Sequence, residues 1–201
     1  MLKQFLIIGA GLFGSSVAAN LFDLGHDTMV IDIDESRIKQ ISSKVTHAVE
    51  GDSTSEDTLK ALDIKDYDVV IVAIGENIQV SIMTTILLVE YEAKYIVAKA
   101  QSEIHGKVLT KIGANQIVFP ERDMGQRLAR SIIAPSMVDL IELSDKFSVV
   151  EVSAPEKMVG KSLKELDIRS KYGINIIALE RKSEEDTILS PTAEDVVNEG
   201  D

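Results

Sequence analysis

Short apolar runs alternate with longer amphipathic segments between Gln4 and Phe119, and this alternation constrains the fold more than any other feature. Continuous apolar runs of about four to eight residues are typical of strands buried on both faces of a parallel sheet. Segments with apolar residues at helical spacing fit the crossover helices that parallel strands require. The sequence therefore predicts an α/β fold built on a parallel sheet.

The predicted elements can be placed by residue number. Six strands are expected at residues 4–8, 28–33, 45–50, 69–74, 95–98 and 116–119, and helices between them at 13–24, 35–42, 55–62, 78–91 and 104–111. The fourth helix carries an apolar stripe at helical spacing, which we expect to pack on the sheet. The members of this stripe are Ile78, Ile82, Ile86 and Val89.

The pattern changes after Pro120. A long crossover helix is predicted at residues 122–143, kinked or split at Pro135. A smaller α+β unit follows, with strands at 147–152 and 174–180, a helix at 162–166 and an extended piece at 187–189. The predicted domains are therefore 1–121, 122–143 and 144–201. Because about 55 residues make a small core, we expect the last unit to be truncated or completed by a partner.

Charge and composition exclude several classes of protein. The net charge of −12 opposes binding to nucleic acid, and the absence of cysteine excludes disulfides and thiolate zinc sites. The three histidines have no partner at a metal-ligand spacing, so a histidine-based metal site is not expected. The longest apolar run, 69–74, is too short to span a bilayer, and nothing resembles an export signal. Seven acidic residues and no basic one lie between Glu184 and Asp201, which predicts a solvated tail.

A glycine-rich loop follows the first predicted strand. Gly9, Gly11 and Gly14 match the G-x-G-x-x-G pattern, in which they permit a tight turn, close approach of a phosphate and close helix packing. The following helix N-terminus offers free N–H groups to an anion. Asp32 ends the second strand, where a carboxylate accepts ribose hydroxyls and repels a 2′-phosphate. The sequence thus predicts a Rossmann-like doubly wound sheet that binds NAD or an adenine nucleotide, and not NADP.

Two further turns should border the same crevice, at 51–54 after the third strand and at 75–77 after the fourth. Asp52 and Ser53 are placed to reach an adenine or a ribose. Alternatively, Ser53 or Ser55 caps the third helix, whose first turn is acidic. Both interpretations stay open at this point.

Longer runs of residues add a family resemblance. They are DST at 52–54, VIVAIGENIQ at 70–79, VAKAQ at 97–101, KIGA at 111–114, PERDMG at 120–125 and LDIRSKYGIN at 166–175. These runs are similar to the RCK (KTN) regulatory subunits of Ktr-type potassium transporters, and together they cover nearly the whole chain. The C-terminal subdomain of that family extends further than Asp201, in agreement with the expected truncation.

The resemblance implies a cytoplasmic homo-oligomer, dimers arranged in an octameric ring, that docks on a membrane potassium-transporting pore subunit and gates it. It also implies that ATP, ADP or NAD(H) binds at the glycine loop. By motif position, the implied cofactor-binding residues are Gly9, Gly11, Leu12, Phe13, Gly14, Asp32, Asp52, Ser53, Ala73, Gly75, Asn77 and Lys99. One residue departs from the family, since Leu12 replaces an arginine that contacts phosphate, and ATP-over-ADP discrimination is therefore in question.

The resemblance points to two further sites. Glu121 would face its symmetry mate and bind a divalent cation or sodium, although a carboxylate after Pro120 is equally explained by the helix N-terminus. A cyclic di-AMP site between two C-terminal subdomains is implied as well. It would use Ile168, Arg169, Ile174, Asn175 and Pro191. Alternatively, Arg169 is a surface cation and the two isoleucines belong to the core.

Two other functions compete with this interpretation. An NAD-dependent dehydrogenase needs a substrate domain with a positioned acid or base, but few residues follow the nucleotide domain and no histidine follows His105. A redox-sensing transcriptional regulator needs a basic helix-turn-helix unit, which the sequence lacks. We therefore expect a regulatory subunit without enzymatic activity.

Overall fold

The computed structural model of the chain describes residues 2–133, 137–144, 147–181 and 187–201. Contacts divide it into two units, Met1–Asp123 and Met124–Asp201. None of the helices in these described ranges is long and apolar enough to cross a membrane.

The first unit contains the predicted parallel sheet. Its strands are β1 (Gln4–Ile8), β2 (Asp27–Asp32), β3 (His47–Glu50), β4 (Val69–Val72), β5 (Ile96–Lys99) and β6 (Gln116–Val118). They pair in the order β3-β2-β1-β4-β5-β6, and every pairing is parallel. This order confirms the predicted Rossmann-like sheet, with the first strand at its centre.

Five helices of the first unit follow the predicted order. They are α1 (Leu12–Asp23), α2 (Glu35–Ile41), α3 (Glu56–Ala61), α4 (Ile78–Glu90) and α5 (Glu103–Lys111), and α6 (Pro120–Ile133) crosses from the first unit into the second. Alternate residues of β1 enter two separate cores: Leu6 and Ile8 pack with α3, α4 and α5 residues, while Phe5 and Ile7 pack with α1 and α2 residues. Burial on both faces explains why the strand is a continuous apolar run.

The apolar stripe predicted on α4 packs on the sheet only at Ile82, which lies against the core, so the prediction is wrong for the other three members. Ile78, Ile86 and Val89 are each about 40% exposed, whereas the helix buries Thr84 and Leu88 completely. The buried hydroxyl of Thr84 makes a 2.8 Å hydrogen bond with Ser53. Small hydroxyl-bearing residues let a helix approach the sheet closely once their hydroxyls are satisfied. Periodicity identified an apolar face but could not tell what covers it.

The first two strands of the second unit form an antiparallel hairpin. Strands β7 (Met137–Ser144) and β8 (Phe147–Val152) pair from Met137 with Val152 to Ser144 with Phe147. The helix predicted at 122–143 is therefore wrong beyond Ile133, where α6 ends. Adjacent strand pairing overrides helical spacing in such a short segment. The break predicted at Pro135 lies outside the described residues.

The remaining elements of this unit are short. They are α7 (Leu163–Leu166), α8 (Ile168–Tyr172), β9 (Ala178–Leu179) and β10 (Ile188–Leu189). The strand predicted at 174–180 is reduced to β9, which pairs with β10. From Thr192 onward most side chains of the acidic segment are exposed, in agreement with the predicted solvated tail. Val197 is an exception, since it is buried and its N–H donates to Lys161 O at 3.0 Å, and the Asp201 carboxylate pairs with Arg181.

Candidate nucleotide-binding site

The glycine loop lies at the point where the strand order of the sheet reverses. β1 has β2 on one side and β4 on the other. The chain therefore continues from β1 towards one edge of the sheet and from β4 towards the opposite edge. Ligands of doubly wound sheets bind in the crevice outside the carboxyl ends of strands at such a point. The loop is fixed there by hydrogen bonds from Gly9 N to Ile31 O at 2.8 Å and from Ala73 N to Ile8 O at 2.7 Å.

The three glycines of the loop are required for different reasons. Gly9 has φ +105° and packs against the Ala73 backbone. A methyl group added at Gly14 would lie 1.9 Å from the Gly9 carbonyl oxygen, so this position needs glycine for packing. A methyl group at Gly11 would instead have a single neighbour within 4 Å, Arg37 Nη1 at 3.9 Å. Gly11 therefore borders open space.

The N-terminus of α1 is open to an anion. Gly11 is its N-cap, and no side chain caps the helix. The first N–H groups of a helix have no partner within the helix, and its dipole favours a negative charge. Leu12, the first helical residue, is 94% exposed and brings no charge to the site. The backbone alone therefore supplies the phosphate-binding groups of the loop itself.

Asp32 is buried at the end of β2 and holds the glycine loop. Its Oδ2 accepts a 2.6 Å hydrogen bond from Ala10 N, and its Oδ1 accepts one of 2.9 Å from Asp34 N. A carboxylate has about four lone-pair sites, so two accepted bonds leave capacity for ribose hydroxyls. Sequence reasoning assigned Asp32 to the ribose alone and missed this anchoring role.

Arg37 lies beside the loop and was not among the predicted site residues. Its Nη1 is 3.8 Å from Asp32 Oδ2 and its Nε is 3.5 Å from Asp34 Oδ2. The signal that could have found it is its position: two residues into α2, directly after the strand that ends at Asp32. The nucleotide fingerprint does not include this position.

Lys99 lies close to residues from three other segments of the chain. Its ammonium is 2.5 Å from Glu121 Oε1, lies 5.8 Å above the Phe13 ring, and would be 3.3 Å from a methyl group at Gly75. The hydrogen bond from Lys99 holds the pKa of Glu121 below its usual value. β5 and β6 end side by side, and this explains why two residues 22 positions apart meet.

A cation would find few ligands here within one chain. Glu121 offers a single carboxylate that Lys99 already occupies, and the described residues contain no group of three metal-ligating side chains. Hard cations such as Ca²⁺ take about six to eight oxygen ligands. The residues of one chain therefore do not fit such an ion, and the predicted metal role of Glu121 remains a prediction.

The turn after β3 is held by its own side chains. Asp52 Oδ1 accepts hydrogen bonds from Thr54 Oγ1 at 2.7 Å and Thr54 N at 2.8 Å, and these bonds lower the pKa of Asp52. Ser53 is buried against Thr84, and Ser55 occupies the N-cap of α3 without a side-chain hydrogen bond. Neither serine hydroxyl therefore caps α3. The contact of Asp52 and Ser53 with a base remains a prediction.

Asn77 has a structural function at the neighbouring turn. Its Oδ1 accepts a 3.1 Å hydrogen bond from Val80 N and so caps α4. Asn77 thus fixes the point at which α4 begins, at Ile78, shortly after Gly75. A role in cofactor binding stays a prediction for this residue.

The residues predicted for cyclic di-AMP have mixed environments in the second unit. Ile168 is 7% exposed and belongs to the interior, whereas Ile174 is 52% exposed. Arg169 and Asn175 are exposed and Pro191 is half-buried. Within the described residues, the Arg169 guanidinium makes no ion pair. Burial favours the core interpretation for Ile168, and the other four side chains remain accessible.

Comparison with known proteins agrees with this architecture. The TrkA-N domain model matches residues 5–120 and the TrkA-C domain model matches residues 147–201. The chain is 47% identical over 201 residues to Ktr system potassium uptake protein C of Bacillus subtilis, covering 100% of this chain and 90% of that protein. It is 44% identical over 199 residues to Ktr system potassium uptake protein A of the same organism, covering 99% and 89%.

A solved structure gives the same fold. The GsuK channel bound to NAD superposes with a TM-score of 0.57 at 24% identity, over 98% of this chain and 35% of that chain. At that identity the likeness concerns the fold alone. The chain thus spans about a third of that channel protein.

Proposed function

The chain belongs to the family defined by the TrkA-N and TrkA-C domains, and from this premise we propose that it is a nucleotide-binding regulatory subunit of a membrane potassium transporter. Its relatives from Bacillus subtilis are named as potassium uptake proteins of the Ktr system. A subunit that responds to a nucleotide must bind it in a state-dependent way, because a ligand shifts an equilibrium only by its differential affinity for two states.

The observation that carries the proposal is the open glycine loop beside a fixed carboxylate. The space above Gly11 admits a phosphate, the α1 N-terminus supplies N–H donors, and Asp32 is held by Ala10 N at the end of β2. A nucleotide with its phosphates on α1 would present its ribose hydroxyls to Asp32. We propose ATP, ADP or NAD(H) as the ligand, and the NAD-bound GsuK channel of the same fold supports this class.

Regulation, rather than catalysis, fits the groups around the loop. A dehydrogenase requires an acid or base placed for proton transfer near the nicotinamide. Lys99 lies at the crevice, but its ammonium is in an ion pair with the Glu121 carboxylate at 2.5 Å. His105 lies on α5 with its ring buried, and its Nδ1 accepts a 3.3 Å hydrogen bond from Gln101 N. We therefore propose that the chain binds a nucleotide without transforming it.

Exposed apolar helix faces support a homo-oligomeric assembly. The exposed apolar residues of α6 are Met124, Leu128, Ile132 and Ile133, with exposed fractions of 58–84%. On α4 the side chains of Ile78, Ile86 and Val89 are each about 40% exposed. Contiguous apolar faces on soluble surfaces mark interaction sites. We propose that copies of the chain cover these faces, as dimers within a ring, on the cytoplasmic side of the membrane where the pore subunit is contacted. A second copy would also bring a second Glu121 to complete the cation site.

A second ligand, cyclic di-AMP, remains a proposal for the C-terminal unit. The exposed Arg169 guanidinium lacks an ion pair within the described residues and suits a phosphate, which arginine binds in a bidentate way. Arg169→Ala should abolish most binding of labelled cyclic di-AMP and leave ADP binding at the glycine loop unchanged. Binding indifferent to Arg169 would remove this part of the proposal.

The central test is nucleotide binding by an Asp32→Asn variant. The amide can keep the hydrogen bond from Ala10 N, although its nitrogen then replaces the oxygen that accepts from Asp34 N. It loses the charge that ribose hydroxyls prefer, so the affinity for ADP should fall about tenfold or more. Glu35→Gln, which changes a nearby exposed carboxylate that pairs with Lys39 rather than with the site, is the matched control and should bind normally. Equal calorimetric affinity in both variants and the wild type would contradict the assignment of Asp32.

A further inference from the structure

Arg37 is placed beside the glycine loop by the helix that carries it. Asp34 caps α2 by accepting a 2.8 Å hydrogen bond from Ser36 N, and Arg37 follows in the first helical turn. Its side chain is 44% exposed, while the Asp32 carboxylate next to it is buried. The guanidinium therefore lies at the mouth of the crevice, with one side towards the loop and one towards solvent.

The guanidinium is attracted by two carboxylates but hydrogen-bonded to neither. It lies 3.8 Å from Asp32 Oδ2 and 3.5 Å from Asp34 Oδ2, whereas charge-assisted N–H···O bonds are about 2.7–2.9 Å long. Asp32 Oδ2 already accepts from Ala10 N, and Asp34 Oδ1 accepts from Ser36. Within the described residues no acceptor uses the N–H groups of Arg37, of which a guanidinium has five.

The free donors face the space that a phosphate would enter. Arg37 Nη1 is 3.9 Å from the position of a methyl group at Gly11, and no other atom from residues distant in the chain lies within 4 Å of that position. Gly11 is where the backbone of this loop type makes room for phosphate. Leu12 contributes no charge, and the Lys99 ammonium is engaged by Glu121. We infer that Arg37 binds the 5′-phosphates of the nucleotide on the glycine loop, an inference that rests on the proposed function.

A 2′-phosphate is the other phosphate that Arg37 could meet, since the ribose is expected at Asp32. That group would also lie against the buried Asp32 carboxylate, which repels it. The 5′-phosphates approach Gly11 and the α1 N-terminus, where the fixed partial charges are positive. The structure therefore favours 5′-phosphate contact, and NADP serves as the comparison that separates the two cases.

The experiment compares ADP with adenosine in matched variants. Arg37→Gln removes the cation, and Lys39→Gln removes a cation from the same helix that pairs with Glu35 at 2.7 Å, away from the loop. By calorimetry, Arg37→Gln should weaken ADP binding about 10- to 100-fold and leave adenosine affinity unchanged. Lys39→Gln should leave both affinities unchanged. Thermal unfolding without ligand should match the wild type in both variants, because neither side chain is buried.

Each other result overturns a different statement. If the wild type binds neither ADP nor NADH, the proposed nucleotide function fails. If the wild type binds ADP and Arg37→Gln binds it equally well, the role of Arg37 fails while the proposed function stands. An equal loss of ADP and adenosine would show that Arg37 contacts the nucleoside instead, and a loss of NADP but not of ADP would assign it to the 2′-phosphate.

Discussion

At the scale of single residues, the glycine loop separates the demands of folding from those of binding. Gly14 is in contact with the Gly9 carbonyl and the Ala73 side chain, so its missing side chain is required by packing. Gly11 borders open space and has a backbone conformation in the extended region that any residue adopts. Its missing side chain is therefore not required by packing, and it leaves room for the proposed nucleotide.

The corresponding pair of variants is Gly11→Ala and Gly14→Ala. The methyl group at Gly14 would overlap backbone and should lower the free energy of unfolding by about 1–3 kcal/mol or more. The methyl group at Gly11 should change stability by no more than about 1 kcal/mol, the range of N-cap substitutions, but should block the phosphate. Denaturant unfolding and ADP calorimetry measure the two effects. A Gly11→Ala chain that binds ADP normally would contradict the placement of the phosphate.

Sequence reasoning found the residues of this site that belong to a motif and missed those that act by position. The fingerprint identified the three glycines and Asp32, because their spacing is set by the chemistry of the loop. Arg37 lies outside the fingerprint, and its relation to Gly11 depends on the angle at which α2 leaves β2. The hydrogen bond from Ala10 to Asp32 likewise exists only once two strands are paired.

At the scale of elements, the strand pattern was predicted well and the packing direction of helices was not. Strands β1, β2, β4 and β5 of the first unit were found because they are apolar runs that are largely buried, whereas β3 and β6, at the two edges of the sheet, are partly exposed. α4 misled the prediction because its hydroxyl-bearing face, with Thr84 bonded to Ser53, is the one that meets the sheet. The β7–β8 hairpin was missed because the pairing of Met137 with Val152 is non-local information.

The outward face of α4 yields a prediction about assembly. Ile86→Glu places a charge in the centre of the exposed stripe, where burial by a second copy would desolvate it. We expect a smaller assembly in analytical ultracentrifugation, with an unchanged helix content. Asn20→Glu adds the same charge on an exposed position of α1 and should keep the wild-type mass. A wild-type chain that sediments as a monomer at all concentrations would contradict the proposed homo-oligomer.

At the scale of the whole molecule, the chain joins a nucleotide site to a second unit of different architecture. Both units match the domain models of one family, and relatives with 44–47% identity cover the chain almost completely. Regulation of a pore requires that nucleotide binding change the population of two states of the assembly. Composition alone could not predict a regulatory function, since an acidic α/β chain is equally suited to an enzyme. The family was indicated by the short sequence segments between residues 52 and 175 that resemble it.

Potassium flux into liposomes that carry a Ktr-type pore subunit tests the account most directly. Flux is measured with the wild-type chain and with its Gly11→Ala variant, each in the presence of ATP, ADP, NADH or no nucleotide. We predict that the wild-type chain changes the flux to a level that differs between at least two of these conditions, and that the Gly11→Ala chain removes that difference. A flux that is the same with and without the wild-type chain, whichever nucleotide is present, would contradict the proposed regulatory function.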